Sequence, residues 1–281
     1  MSKVAIVTDS TACMPADLVS RYGISVTPQV VIWGPETLRD GVDITPDQFY
    51  ERLAKASVMP STSQASPATF EHIFRGLLEQ GHDVLAIVIS HKLSGTYQSA
   101  VLAKETIGSD RIAIVDTLTT AMAMGFVVIE AAKAAEKGAS LEECTAVAEA
   151  AKARTGVLVA VDTLEFLHRG GRIGGASRFM GTLLGLKPIL ELQDGRIEGL
   201  EKVRTRSKAH ARMVEIFAER VGNKPVYLAV IHAVSQENAE VVLEMCRSKT
   251  NVLESHMASV APAIGANIGP GVVGITYMTA S

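Results

Sequence analysis

Residues 84–100, VLAIVISHKLSGTYQSA, limit most tightly how this chain can fold. Val84 to Ser90 run almost unbroken in apolar and β-branched side chains, the pattern of a strand buried on both faces of a parallel sheet. Ser94-Gly95-Thr96 then turn the chain, and Thr96 to Ile107 read as a helix stopped by Gly108. In open α/β sheets ligands collect at such a strand-to-helix turn, where free N–H groups and the positive helix end face one crevice. Ser94 and Thr96 add hydroxyls, and Gly95 allows close approach to the backbone. The turn therefore reads as a small oxyanion site for a carboxylate or phosphate. The plainer reading, Ser94 as a helix cap and Gly95 as a turn residue, stays open on these residues alone.

The first half alternates strands and helices. Val4–Thr8 reads as a strand and Ile24–Ile32 as a second one, interrupted at Pro28. Thr45-Pro46-Asp47-Gln48 supplies a cap, an N1 proline and a capping-box glutamine for a helix that fades near Ser57. Ser66-Pro67 opens another helix, closed by Gly81. Arg111–Asp116 is a strand, Ala121–Lys137 a long Ala-rich helix, and Ser140-Leu141-Glu142-Glu143 a second capping box. These elements predict a mainly parallel sheet with helices on both faces. The second half changes rhythm. Gly156–Val161 predicts a strand, and a short helix is expected near Ser177–Leu184. Asp194-Gly195, between Pro188–Leu192 and Ile197–Val203, is a strong hairpin signal. Helices at 207–221 and 236–249 and strands at 226–231, 252–257 and 272–277 complete an α+β pattern with a mainly antiparallel sheet. The expected fold is α/β in two domains, residues 1–155 and 156–281.

With 281 residues and 47% hydrophobic content, the chain is long enough for two cores. Its 27 basic and 30 acidic side chains give a net charge of −3 with no basic tract, which argues against a nucleic-acid partner. No apolar run approaches the roughly 18–20 residues a membrane span needs. No charged n-region or apolar h-region precedes the first strand, so a secretory signal is not expected and a cytoplasmic protein is. Cys13, Cys144 and Cys246 are odd in number and lack metal-ligand spacing, as expected of reduced core cysteines.

Several chemical motifs fail on context. Gly269-Pro270-Gly271-Val272-Val273-Gly274 matches G-x-G-x-x-G, but the chain continues through Tyr277 as a strand, with no helix there to hold a dinucleotide. These glycines predict a tight turn beside something that needs close approach. There is no P-loop, no G-x-S-x-G elbow around Ser94, no H-x-x-x-H pair and no acidic metal cluster. Small polar residues in turns remain: Asp9-Ser10-Thr11 at the first strand's end, and Ser61-Thr62-Ser63-Gln64 before a helix. For both, capping alone is a sufficient reading. The segment Arg169-Gly170-Gly171-Arg172-Ile173-Gly174 suits an exposed docking loop or simply a solvated one.

Seven blocks together resemble one family. VTDSTACMP (7–15), TSQASP (62–67), SHKLSGTYQSA (90–100), LEFLHRGGRIGGAS (164–177), LKPIL (186–190), VRTRSKA (203–209) and GANIGPG (265–271) are similar, in family order, to the DegV family of bacterial fatty-acid-binding proteins. The resemblance implies a cytoplasmic two-domain protein, monomeric when free, that holds a long-chain fatty acid in a tunnel at the domain junction. It further implies a partner, a separate fatty acid kinase, that phosphorylates the presented carboxylate for phospholipid synthesis. No cofactor and no catalytic residue is implied for this chain.

Carried over by position, the resemblance assigns Thr62, Ser94 and the Gly95 backbone to the carboxylate, with Ser63 and Arg204 in support and Arg172 in kinase docking. The family usually reads His-x-Gly-Pro-Gly where this chain has Asn267, and TSQP where it has Ala65. Asn267 is thereby placed at the head group as a neutral donor. Two other classes stay open from the residues: a stand-alone esterase or phosphotransferase using Ser94 with Asp9 and His91, and a lipid-free regulatory protein.

Overall fold

Pro28 splits the apolar run 24–32 into strands of two different sheets, because it has no N–H to continue a ladder. The computed structural model describes residues 3–181 and 185–280. Its first half runs β1 (Val4–Asp9), α1 (Ala16–Arg21), β2 (Ser25–Thr27), β3 (Val30–Trp33), β4 (Glu36–Arg39), α2 (Pro46–Ala54), β5 (Ser61–Ser63), α3 (Pro67–Glu79), β6 (Asp83–Val88), α4 (Thr96–Ile107), β7 (Ile112–Asp116), α5 (Ala121–Glu136) and α6 (Leu141–Lys152). β2, β1, β6 and β7 form an all-parallel sheet in that order. β4, β3 and β5 form a small antiparallel sheet that the sequence did not announce. Both capping boxes form: Gln48 N–H donates to Thr45 Oγ1 at 3.4 Å and Glu143 N–H to Ser140 Oγ at 3.2 Å.

The second half comprises β8 (Thr155–Ala160), α7 (Glu165–Arg169), β9 (Lys187–Gln193), β10 (Arg196–Val203), α8 (Arg206–Val221), β11 (Val226–His232), α9 (Gln236–Lys249), β12 (Val252–Ser259), α10 (Pro262–Ile268) and β13 (Val273–Thr279). Its six strands order as β10-β9-β8-β13-β11-β12, antiparallel except for the parallel β11–β12 edge pair. The helix expected near Ser177–Leu184 is instead a 3-10 turn at Gly174–Phe179, and residues 182–184 lie outside the described residues.

α5 joins the halves. Its sequence AMAMGFVVIEAAKAAE is buried nearly all round, as a helix covered on two sides must be. It packs on β1 and β6 of the parallel sheet and on β13, β11 and β8 of the antiparallel one. A continuous core therefore runs from Val4 and Leu85 through Met122 and Val127 to Ala229 and Met278. A second core ties the small sheet and α2 (Val31, Trp33, Phe49) to Leu164, Ile231 and Ile268 of the second half.

In the parallel sheet, β1 connects outward to β2 on one side, while β6 and β7 lie on its other side. The strand order therefore reverses between β1 and β6, and a crevice opens beyond their carboxyl ends. The Asp9-Ser10-Thr11 turn and the Ile89–Ser94 turn both reach that crevice.

Candidate functional site

A cavity of about 910 Å³, counted to its mouth, opens at this switch point between the two halves. Most of its wall is apolar, with Ile89 and Leu93 from the β6 side and Val159, Leu167, Ile231 and Ile264 from the other half. Its polar lining includes Thr62, Ser63, Ser94, Gln29, Asn267 and Arg172, with Thr11, Gln64, Thr120 and Glu191 also in the wall.

Thr62 is held by β5, paired opposite Val31 of β3. Ser94 lies just before α4, where its Oγ accepts from Thr96 N–H at 3.3 Å and bonds the Thr96 hydroxyl at 2.8 Å. Gly95 is the N-cap of α4, and a Cβ there would press on the Gln64 side chain at 3.0 Å. The positive end of α4 favours an anion nearby. Asn267, on the last turn of α10, donates through Nδ2 to Ala263 O at 2.9 Å and to Thr62 Oγ1 at 3.4 Å. Thus five of the seven sequence-derived positions (Thr62, Ser63, Ser94, Arg172 and Asn267) line one cavity, and Gly95 sits beside it.

The remaining one does not. Arg204 is exposed in the turn between β10 and α8 and is not among the lining residues. Two positions on, Arg206 pairs with Asp162, which Lys187 also holds at 2.9 Å. Arg172 differs from the exposed loop tip the sequence suggests. Its side chain is half-buried, and its Nε crosses to the other half to donate to Leu93 O at 3.1 Å. Gly170 makes room for this loop beside Asn267, since a Cβ at 170 would collide with Asn267 Oδ1.

Sequence reasoning missed Gln29. It is 3% exposed, accepts from Ala65 N–H at 3.1 Å and donates through Nε2 to Thr96 Oγ1 at 2.8 Å. A single glutamine after Pro28 carries no motif; only the fold brings it to the hydroxyls.

The other polar candidates are structural. Asp9 is fully buried, and its carboxylate accepts from Thr11 N–H and Ile89 N–H, both at 2.9 Å, tying the two turns of the switch point together. Burial pushes its pKa up, while those bonds and one from Gln29 act in the opposite direction. His91, the candidate base for Ser94, is exposed, hydrogen-bonds Asp116 and is not among the lining residues. Asn267-Ile268-Gly269-Pro270-Gly271 runs from helix to strand, the reverse of a dinucleotide turn. Gly269 and Gly271 have φ of 79° and 80°, and Cβ atoms there would strike Phe166 and Asp162. Among the described residues no group of His, Cys, Asp or Glu is arranged to hold a metal, and no helix is long and apolar enough to cross a membrane.

Fold and site together define a class: an α/β protein with a largely apolar cavity at its switch point and hydroxyls and amides converging in the cavity wall. The chain belongs to the DegV family, whose model, described as "Uncharacterised protein, DegV family", matches residues 3–280. It is 40% identical over 274 residues to a DegV domain-containing protein of Streptomyces coelicolor, covering 97% of each. Among solved structures it resembles a fatty-acid-binding DegV family protein from Thermus thermophilus, with 36% identity and a TM-score of 0.93 over 99% of this chain and 100% of that one. DegV of Bacillus subtilis, a fatty acid binding protein, superposes with a TM-score of 0.87 at 31% identity over the whole of both chains.

Proposed function

We propose that this protein binds a long-chain fatty acid in the cavity between its halves and presents the carboxylate to a separate fatty acid kinase, which forms an acyl-phosphate for phospholipid synthesis. The observation that carries the reading is the combination of an apolar wall with converging hydroxyl and amide groups from Thr62, Ser94 and Asn267. Burying roughly 15 methylenes at about 0.8 kcal/mol each yields about 12 kcal/mol as an upper bound, before the ligand's lost freedom is subtracted. The same burial would be offset by several kcal/mol if the carboxylate had no donors, so the polar group is a requirement. The two fatty-acid-binding relatives support the same ligand.

On this reading residues 1–155 supply the carboxylate turns and residues 156–281 complete the tunnel. The exposed half of the Arg172 side chain is available to a docked kinase. Titration with palmitate and with methyl palmitate tests the binding step: palmitate should bind at one per chain, and the ester, lacking the anion, more weakly. A cognate kinase with ATP should then yield hydroxylamine-trappable acyl-phosphate only when this protein is present. Absence of palmitate binding would overturn the proposal.

A further inference from the structure

The hydroxyl chain beside the cavity has a direction, and Gln29 sets it. Ala65 N–H can only donate, so the amide atom facing it at 3.1 Å is Oε1. The other end of the amide is therefore NH2, and it donates to Thr96 Oγ1 at 2.8 Å. With that lone pair occupied, the Thr96 hydroxyl proton can go to Ser94 Oγ at 2.8 Å or back to Gln29 Oε1 at 3.2 Å. The second acceptor is longer and already takes the Ala65 N–H. Ser94 Oγ then accepts from both Thr96 N–H and Thr96 O–H, filling its two lone pairs. Its own proton is left for the cavity that Ser94 lines. Gln29 cannot flip its amide without setting the NH2 against the Ala65 N–H. Its backbone is held on both sides, with N–H donating to Ser10 Oγ at 3.1 Å and C=O accepting from Asp40 N–H at 2.9 Å.

We infer that Gln29 is a positioning residue that polarises the Thr96–Ser94 pair so that Ser94 acts as a hydrogen-bond donor to the bound head group, selecting acceptor-only carboxylates. The inference rests on the proposed fatty acid reading and adds its selectivity. A carboxylate can only accept, whereas an alcohol can also donate. Fixing Ser94 as a donor therefore favours a fatty acid over a fatty alcohol of the same length.

Titrations with palmitate and 1-hexadecanol on wild type, Gln29→Met, Thr96→Val and the Gln29→Met/Thr96→Val double variant test this. Gln29→Met should lower palmitate affinity about three- to tenfold, less than the full loss of a hydrogen bond to a charged acceptor, because Ser94 can still donate part of the time. Hexadecanol affinity should stay within about twofold, because an alcohol can donate to a reversed Ser94. In the Thr96→Val background there is no proton direction left to set, so adding Gln29→Met should change palmitate affinity by less than about twofold. If Gln29→Met does not fold, Gln29→Asn, whose amide falls one methylene short of Thr96, carries the same comparison. Unchanged palmitate affinity in the Gln29 variants, alongside a clear loss in Ser94→Ala, overturns this inference and leaves the parent reading standing. Equal losses for both ligands that persist in the Thr96→Val background overturn it as a packing effect. A wild-type protein that binds no palmitate overturns both.

Discussion

Asn267 Nδ2 reaches Thr62 Oγ1 at 3.4 Å, joining α10 to β5 across 205 positions of sequence. The two residues come from opposite halves, so the site exists only when the halves are packed together. Asn267 is itself held in place, by Ala263 O on one side and by the bare Cα of Gly170 on the other. Gly170 has a φ of −73°, which any residue adopts, so substitution there acts through space rather than backbone strain. Gly170→Ala should drive Asn267 away from Thr62 and weaken palmitate binding about three- to tenfold, as Asn267→Ala should by removing the donor. Titration of both variants checks this, and wild-type affinity should be flat from about pH 6 to 8, since Asn carries no titratable proton.

Ser94→Ala and Thr62→Val should each weaken palmitate binding by roughly 1–3 kcal/mol, the cost of leaving a buried charged acceptor short of a donor. Because both hydroxyls would meet one carboxylate, the double variant should lose less than the sum. Calorimetric titration of the three proteins reads this directly; wild-type affinity in both single variants would place the carboxylate elsewhere.

Much of this architecture is legible in the sequence because local signals agree with the tertiary fold. The 84–90 run does become a central parallel strand, both capping boxes form, and Asp194-Gly195 does close the β9–β10 hairpin. The misses share a physical cause. Ser61–Ser63 has no apolar alternation, and its strand is defined by pairing with the distant β3. Pro262–Ile268 contains a glycine and is only two turns long, so α10 has little propensity and owes its helix to packing. The apolar periodicity of α5 predicts a helix but not two sheets to cover it. Motif matching names Thr62, Ser94 and Asn267, which line one cavity, yet cannot distinguish an exposed Arg204 from a half-buried Arg172, nor find Gln29.

Arg172 sits where affinity and docking meet. Arg172→Ala removes the guanidinium that donates to Leu93 O, one residue before Ser94. Palmitate affinity should fall about two- to fivefold, within the range of one part-exposed hydrogen bond. Kinase-dependent acyl-phosphate formation, measured with saturating palmitate, should fall further than that. A variant that loses affinity but turns over normally at saturation would assign Arg172 to the pocket alone.

Asp40 gives the fold a pH signature. It is 2% exposed, accepts from Ser10 Oγ–H at 2.8 Å and from Ala263 N–H at 3.3 Å, and so ties the first half to α10. Burial pushes its pKa up to about 6, against an ordinary 3.8, with the two hydrogen bonds acting in the opposite direction. A raised carboxyl pKa means the folded state holds the proton more tightly than the unfolded one between those values. This group's contribution therefore falls as pH rises from about 4 to 6 and stays low above, by at most about 3 kcal/mol. Asp40→Asn cannot ionise, so its melting temperature relative to wild type should rise between about pH 4 and pH 7. Parallel thermal melts at both pH values decide it; a constant difference would mean Asp40 is not protonated at acidic pH.

The fatty acid itself is the central claim, and native mass spectrometry of the gently purified chain tests it most directly. The mass should exceed that of the 281-residue chain by that of one long-chain fatty acid, released as the free acid on denaturation. Protein at the bare chain mass that also fails to take up palmitate on titration would contradict the account.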